Sequence, residues 1–330
     1  MSKKNLILGG IFVVLLLFIY LLQGPLQDRG KGLNFMADLN MEEVDRIEIE
    51  TADGSAVLLK EEKGKWKVEG EGDFYMRPSL AENMEKEMQA LTETEFELVS
   101  GEADRKSEFE TDDEQGALVK LYKEEEELKR LVVGTLDPTD YNDTYVSQSD
   151  IDETYSAKGV DLRSIFKTQG GDWRNRAIFD TPMEDIDRVR FQYPNREFTV
   201  VKATTTDEEG EEVEEWQGST PWIFEVDQEK MEEVVMVMSE LWAADIPEQD
   251  FEGTGLADHL IIVEATGEDL ENTIMVGHRH EPSEETEEEL AEEGLEDIEL
   301  YYAKRADSDN IYLISEQEKN ILDQSIDSLR

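Results

Sequence analysis

The sequence predicts an α+β protein: two tandem repeats, each a mostly antiparallel sheet packed by one main amphipathic helix, after an N-terminal transmembrane helix. Three observations predict it. Strand-like runs with apolar residues two apart recur in meanders punctuated by Gly, Asp and Asn turns, the pattern of antiparallel hairpins. Each meander is broken once by a stretch with apolar residues at helical spacing, at 78–91 and again at 228–242. The order of elements in residues 41–170 then returns in 171–330, as in an internal duplication of low identity.

The chain opens with "MSKKNLILGGIFVVLLLFIYLLQ", in which Leu6 to Leu22 is uncharged and almost wholly apolar. About 17 residues at ~1.5 Å each span roughly 26 Å, a short but sufficient match to a hydrocarbon core of ~30 Å. The run is longer than the apolar region of about 7–15 residues in a signal peptide, and no small-x-small cleavage site follows. Residues 1–23 therefore read as an anchor that meets the bilayer through residues 6–22. Lys3 and Lys4 on one side nearly balance Arg29 and Lys31 on the other. The free amine and short leader favour an N-terminus inside, leaving a single-pass protein of the cytoplasmic (inner) membrane with its bulk extracytoplasmic or periplasmic. "GPLQDRGKGLNFMADLN" (24–40) reads as a linker, because Gly and Pro break it and no apolar face appears.

In the first repeat (41–170), "VDRIEIE" (44–50) and "SAVLLK" (55–60) form a hairpin across "ADG", and "KWKV" (65–68) extends it. Pro78 and Ser79 open a helix. Ser79 and Glu82 have capping-box spacing, and Leu80, Met84, Met88 and Leu91 share a face. "ALVKLY" (117–122), "LKRLVVG" (128–134) and "TYVSQ" (144–148) read as strands, and "DLRSIF" (161–166) as a short helix.

The second repeat (171–330) follows the same order. "IDRVRFQY" (186–193), "EFTVVKA" (197–203) and "PWIFEV" (221–226) parallel the first three strands, with Trp222 standing where Trp66 stands and both expected in the core. A helix over 228–242, with Asp227 as N-cap, carries Met231, Val234, Val235, Met238 and Leu241 on one face. "LIIVEA" (260–265), "NTIMVG" (272–277), "IELYYAKR" (298–305) and "NIYLIS" (310–315) are strands, and 316–329 is a closing helix. The Glu-dominated stretches 204–220 and 281–297 read as solvated loops, with a short acidic helix as the alternative for the second.

Asp and Glu number 82 against 32 Lys and Arg, a formal charge of −50. Such a chain lacks the cations that phosphate contacts need, which excludes nucleic acid as a partner. It suits a folded domain in high salt, where at ~1 M the Debye length shrinks to about 3 Å and surface repulsion is screened. The halophilic reading is an expectation. Cysteine is absent, which excludes disulfides and thiol catalysis.

Motifs for chemistry are sparse. No G-x-x-x-x-G-K-[ST] and no G-x-S-x-G occurs, and "GEGDFY" (70–75) lacks the third glycine of a dinucleotide loop, so no cofactor is assigned. The three histidines are His259, His278 and His280. "GHRHE" (277–281) would place His278 and His280 on one strand face, weak candidates for a metal, with no third ligand at a characteristic spacing. "DPTDYNDTY" (137–145) and "RADSDNIY" (305–312) hold clustered oxygens but lack the Gly and Glu of a calcium hand, and read as turns. In "DWRNRAIFD" (172–180), Trp173, Arg174 and Arg176 are candidate contacts for a partner, Trp and Arg being favoured at interface hot spots.

"GKWKV", a capped helix ending "ALTETEFELVS", "ALVKLY", "LKRLVVG" before "TYVS", and "DWRNRAIFD" together resemble the DUF4340 family, over most of residues 40–320. "EFETDDEQGALVKL" occupies the place where that family usually carries Tyr-Gly-Leu. The resemblance implies a membrane-anchored extracytoplasmic protein, often built in tandem and encoded beside ABC-type exporters and gliding-type auxiliary proteins. The expectation is a binding or scaffold accessory that associates with ABC transporter subunits and performs no catalysis. The alternatives are an extracytoplasmic hydrolase or metal-dependent enzyme, and a solute-binding protein with a cleft between the repeats.

Overall fold

The structure, a computed structural model, describes residues 34–61, 64–167, 173–206, 212–258, 260–281 and 298–330. The anchor read at 6–22, His259 and the Glu-rich segment 282–297 lie outside the described residues. Among the described residues no helix is long and apolar enough to cross a membrane. The architecture is α+β: two large, mostly antiparallel sheets with a few helices. The chain divides into two compact units. Unit 1 comprises the described residues up to Glu69 with Tyr75–Arg174, and unit 2 comprises Gly70–Phe74 with the residues from Asn175 on.

Unit 1 contains β1 (Arg46–Thr51), β2 (Gly54–Lys60), β3 (Trp66–Val68), α1 (Pro78–Glu93), β4 (Phe96–Ser100), β5 (Ala117–Lys123), β6 (Glu126–Asp137), β7 (Asp140–Ser147), β8 (Thr154–Ala157) and α2 (Arg163–Phe166). Its sheet runs β3-β2-β1-β5-β6-β7-β8-β4. The alternation that marks β1 as a strand puts Ile47 and Ile49 in the core, beside Met84, Met88 and Leu91 of α1. Burying side chains of this size contributes ~1.5–3 kcal/mol each.

Helix α1 starts with Pro78, whose fixed φ suits the first turn, and its N-cap is Arg77 without a side-chain cap. The capping box expected at Ser79 is therefore not formed, because Ser79 already lies inside the first turn. At the other end the Asn34 side chain donates to the carbonyls of Leu91, Thr92 and Thr94, groups a helix end leaves without partners. Met36 and Leu39 are buried in the same core. Residues 34–40, read as linker, thus belong to unit 1; their apolar residues have no helix or strand period because turns bury them.

Unit 2 contains β9 (Ala177–Asp180), β10 (Arg188–Tyr193), β11 (Arg196–Thr206), β12 (Glu212–Thr220), β13 (Phe224–Glu225), α3 (Gln228–Ser239), β14 (Glu240–Trp242), β15 (Ile261–Thr266), β16 (Glu271–Arg279), β17 (Leu300–Arg305), β18 (Tyr312–Ser315) and α4 (Glu316–Leu322). The sheet runs β13-β12-β11-β10-β15-β16-β17-β18, and β14 pairs with β9 separately. Asp227 caps α3 by accepting from the amides of Glu229 and Lys230. The helix stops at Ser239, short of the expected 242, because Glu240–Trp242 pairs with β9 instead. The expected helix 316–329 is helical only over α4, which begins with a capping box of Ser315 and Glu318. Phe74 joins this core, edge to face with Tyr312, while Asn310 exchanges two hydrogen bonds with the Asp73 backbone.

The two sheets share local geometry. Arg46 faces Leu59 in β1–β2, and Arg188 faces Val201 in β10–β11. The Lys60 amide donates to Asp45 O and the Lys202 amide to Asp187 O, both at 2.8 Å. Lys60 pairs with Trp66 and sits over its ring at 5.3 Å; Lys202 pairs with Trp216 and sits over its ring at 5.4 Å. Trp216, not Trp222, therefore occupies the place of Trp66. Trp222 is 57% exposed, and "PWIFEV" supplies only the two residues of β13. The cause is the 204–220 stretch, expected to be a loop: most of it is the long hairpin of β11 and β12, which carries Trp216 into the sheet.

Gly134 in β6 and Gly277 in β16 match as well. A Cβ at the first would fall 2.2 Å from Phe109 O, and at the second 2.1 Å from Thr254 O. Each glycine admits a backbone segment against the sheet that any side chain would exclude.

Candidate functional site

The residues singled out in the sequence scatter. The pairing of β16 with β17 slips between Val276 and Arg279, which breaks the alternation expected for "GHRHE". His278 is exposed and packs over Gly255, where a Cβ would fall 2.6 Å from its ring. His280 lies elsewhere, with Nδ1 2.7 Å from the Tyr302 hydroxyl and Nε2 enclosed without a partner. Burial pushes the His280 imidazole below its ordinary value, with Asp245 pulling the other way. The two histidines do not converge, and among the described residues no group of three or more His, Asp or Glu could hold a metal ion.

Trp173 is a core residue of unit 1, and its indole N–H donates to Ile165 O at 2.9 Å. It presents no surface for the partner contact expected of it; a large apolar ring in a chain this polar is worth most inside. Arg176 donates to Ala244 O at 2.9 Å and has Asp245 at 3.6 Å, while Arg174 is partly buried.

Two features carry more. The first is a cleft of ≈ 730 Å³ in unit 1. Helix α1 brings Lys86 and Glu87 to it. Glu87 takes Lys86 Nζ at 2.8 Å on one oxygen and the Asp161 amide at 3.2 Å on the other, joining the helix to the chain ahead of α2. The turn between β6 and β7 is built by Asp137, which accepts from the amide and hydroxyl of Thr139; those bonds hold its carboxyl below the usual range. Beyond the turn Asp140 accepts from the amide and side chain of Asn142.

Asp143 lies deeper, its side chain 7% exposed. It accepts from Lys158 Nζ at 2.9 Å and from the Gly159 amide at 2.7 Å. The hydrogen bond to Asp143 raises the Lys158 ammonium above its ordinary value. In the sequence "DPTDYNDTY" showed only as a turn with clustered oxygens. Lys86, Lys158 and Asp161 carried no signal, because only the fold brings the three segments together.

The second feature is on unit 2. Trp222 and Ile223, 57% and 72% exposed, are consecutive on the turn between β12 and β13. The neighbouring Phe224 is buried, edge to face with Phe198 and against Gly218, where a Cβ would fall 2.2 Å from its ring. That anchor fixes the turn and leaves the two apolar side chains outside.

A family model described as a domain of unknown function (DUF4340) matches residues 66–260, more than half of the 330-residue chain. Comparison with curated proteins and with solved structures found no match.

Proposed function

The chain belongs to the DUF4340 family, and from that premise we propose that it is a membrane-anchored, extracytoplasmic binding and scaffold protein, an accessory of an ABC-type export or gliding-like system that works by association. Residues 6–22 supply the anchor in this reading, and the acidic bulk of the chain stands outside the cytoplasmic membrane. The two units are tandem copies of one fold; the matched strand orders and the matched Lys–Trp hairpins support that reading.

The observation that carries the scaffold role is the exposed pair Trp222–Ile223. Contiguous apolar surface on a heavily charged protein marks a contact site, and tryptophan is the side chain most enriched among interface hot spots. The occupant is a subunit of the membrane transport system. Truncating a hot-spot tryptophan typically costs about 2 kcal/mol or more, roughly thirty-fold in affinity.

The test is a photo-crosslinking amino acid at position 223 of the full-length chain in its native membrane, followed by mass spectrometry. Covalent capture of a transporter subunit, reduced by Trp222→Ala, is the expected result. Efficient crosslinking to lipid or solvent alone overturns the scaffold role. Fusion reporters placed after residue 330 check the location; activity of a cytoplasmic reporter overturns it.

A further inference from the structure

Asn142-Asp143-Thr144 is the only place in the chain where an asparagine is followed two residues on by Ser or Thr with no proline between, the acceptor signature of N-glycosylation. The fold sets these residues apart from the rest of their hairpin. The pairs Asp137–Asp140 and Leu136–Thr144 leave residues 141–143 with no partner on β6. Extra residues of this kind bend a strand and re-aim its side chains. Tyr141 and Asn142 are turned out to solvent, whereas Asp143 and Thr144 are buried. The Asn142 side chain is engaged only locally, its Nδ2 donating to Asp140 Oδ1 at 3.0 Å. An amide nitrogen has two hydrogens, so replacing one with a sugar leaves the other for that bond. The cleft of ≈ 730 Å³ that Asn142 helps to line leaves room beside it.

We propose that Asn142 is the acceptor of an N-linked glycan. The inference rests on the extracytoplasmic location proposed above, since the signature is used on secreted chains. The amide nitrogen bonds to the anomeric carbon of a sugar carried on a lipid-linked phosphate. The bond from that carbon to the phosphate oxygen breaks, the lipid phosphate leaves with the electron pair, and the amide gives up one proton. The signature also needs the Thr144 hydroxyl. In the folded chain that hydroxyl donates to Val160 O at 2.7 Å and accepts from the Leu162 amide at 3.0 Å. Transfer therefore precedes the packing of β7 against the chain ahead of α2. Once there, a bulky hydrated group on an exposed bulge displaces no core contact.

The experiment is mass spectrometry of the peptide containing residue 142, from full-length chain made in its native host and purified from the membrane. A second chain carries Asp53→Asn, which completes the same signature with Ser55 on the exposed turn between β1 and β2 and serves as a positive control. Sugar on Asn142 is expected, lost entirely in Asn142→Gln and kept in Thr144→Ser, which retains the hydroxyl. Sugar at position 53 with none at 142 overturns the inference and leaves the location standing. Sugar at neither position overturns it as well, and the fusion reporter after residue 330 then tells whether the location falls with it. Unmodified chain that has already folded should stay unmodified when mixed with membranes holding the transferase and the lipid-linked sugar. Modification there overturns the stated order of transfer and folding.

Discussion

Unit 1 closes its β2–β3 hairpin quickly and buries Trp66, 1% exposed, beneath Lys60. Unit 2 lengthens the corresponding hairpin, buries Trp216, 7% exposed, beneath Lys202, and leaves Trp222 on the surface. The difference teaches that what the two units share is a contact, a lysine ammonium lying over an indole across a strand pair, not a position along the chain. A longer hairpin moves the tryptophan in number without moving it in space.

The largest expected effect tests that statement. Trp66→Ala in unit 1 and Trp216→Ala in unit 2 should each destabilise their own unit by roughly 3–5 kcal/mol, the range for emptying a large aromatic site in a core. Trp222→Ala should stay within about 0.5 kcal/mol. Hydrogen exchange read peptide by peptide separates the units. A Trp222 variant that loosens unit 2 as much as the Trp216 variant does would break the assignment.

A smaller effect should be equal in the two units. Gly134→Ala and Gly277→Ala each place a methyl about 2 Å from a backbone oxygen, and overpacking of this kind costs typically 1–3 kcal/mol. Urea midpoints at fixed KCl check it. A neutral result at one glycine and not the other would show that the approach of backbone to sheet differs between the units.

The smallest effect should appear in unit 2 alone. The turn of the first hairpin begins with Thr51 in unit 1 and with Tyr193 in unit 2. Burial, with Asp323 nearby, pushes the Tyr193 phenol from its ordinary value near 10 up to about 12, and its hydroxyl donates to Gln324 O. The folded state holds the proton more tightly than the unfolded state. The stabilisation is therefore complete below pH 10 and is lost as pH rises from 10 to 12. Tyr193→Phe should lower stability at neutral pH by about 1 kcal/mol, the usual worth of a hydrogen bond, and flatten the alkaline loss in unit 2. An alkaline transition unchanged by the substitution would remove the claim.

Much of the fold was legible because element type is written locally. Alternation marked Ile47 and Ile49, and helical spacing marked Met84, Met88, Met231 and Val234; all six lie in the cores. Asp227 showed as a cap because the cap bonds only two and three residues ahead. Ser79 misled for the same local reason: Pro78 competes for the start of α1 and takes it. The candidate site was far less legible. The oxygens of 137–145 were visible as a cluster, but the lysines that answer them come from residues 86 and 158. His278 and His280 were parted by a slip in pairing that no neighbouring residue announces.

By itself, then, the amino-acid order determined the strand and helix periods, the heavy negative charge and the family. Those properties depend on residues a few places apart or on composition. Only the tertiary structure decided which tryptophan is buried, that Met36, Leu39 and Phe74 join the cores, and that three distant segments line a cleft. Each of those outcomes rests on contacts between residues far apart along the chain, and there the length of a hairpin or one shifted pair outweighs any local preference.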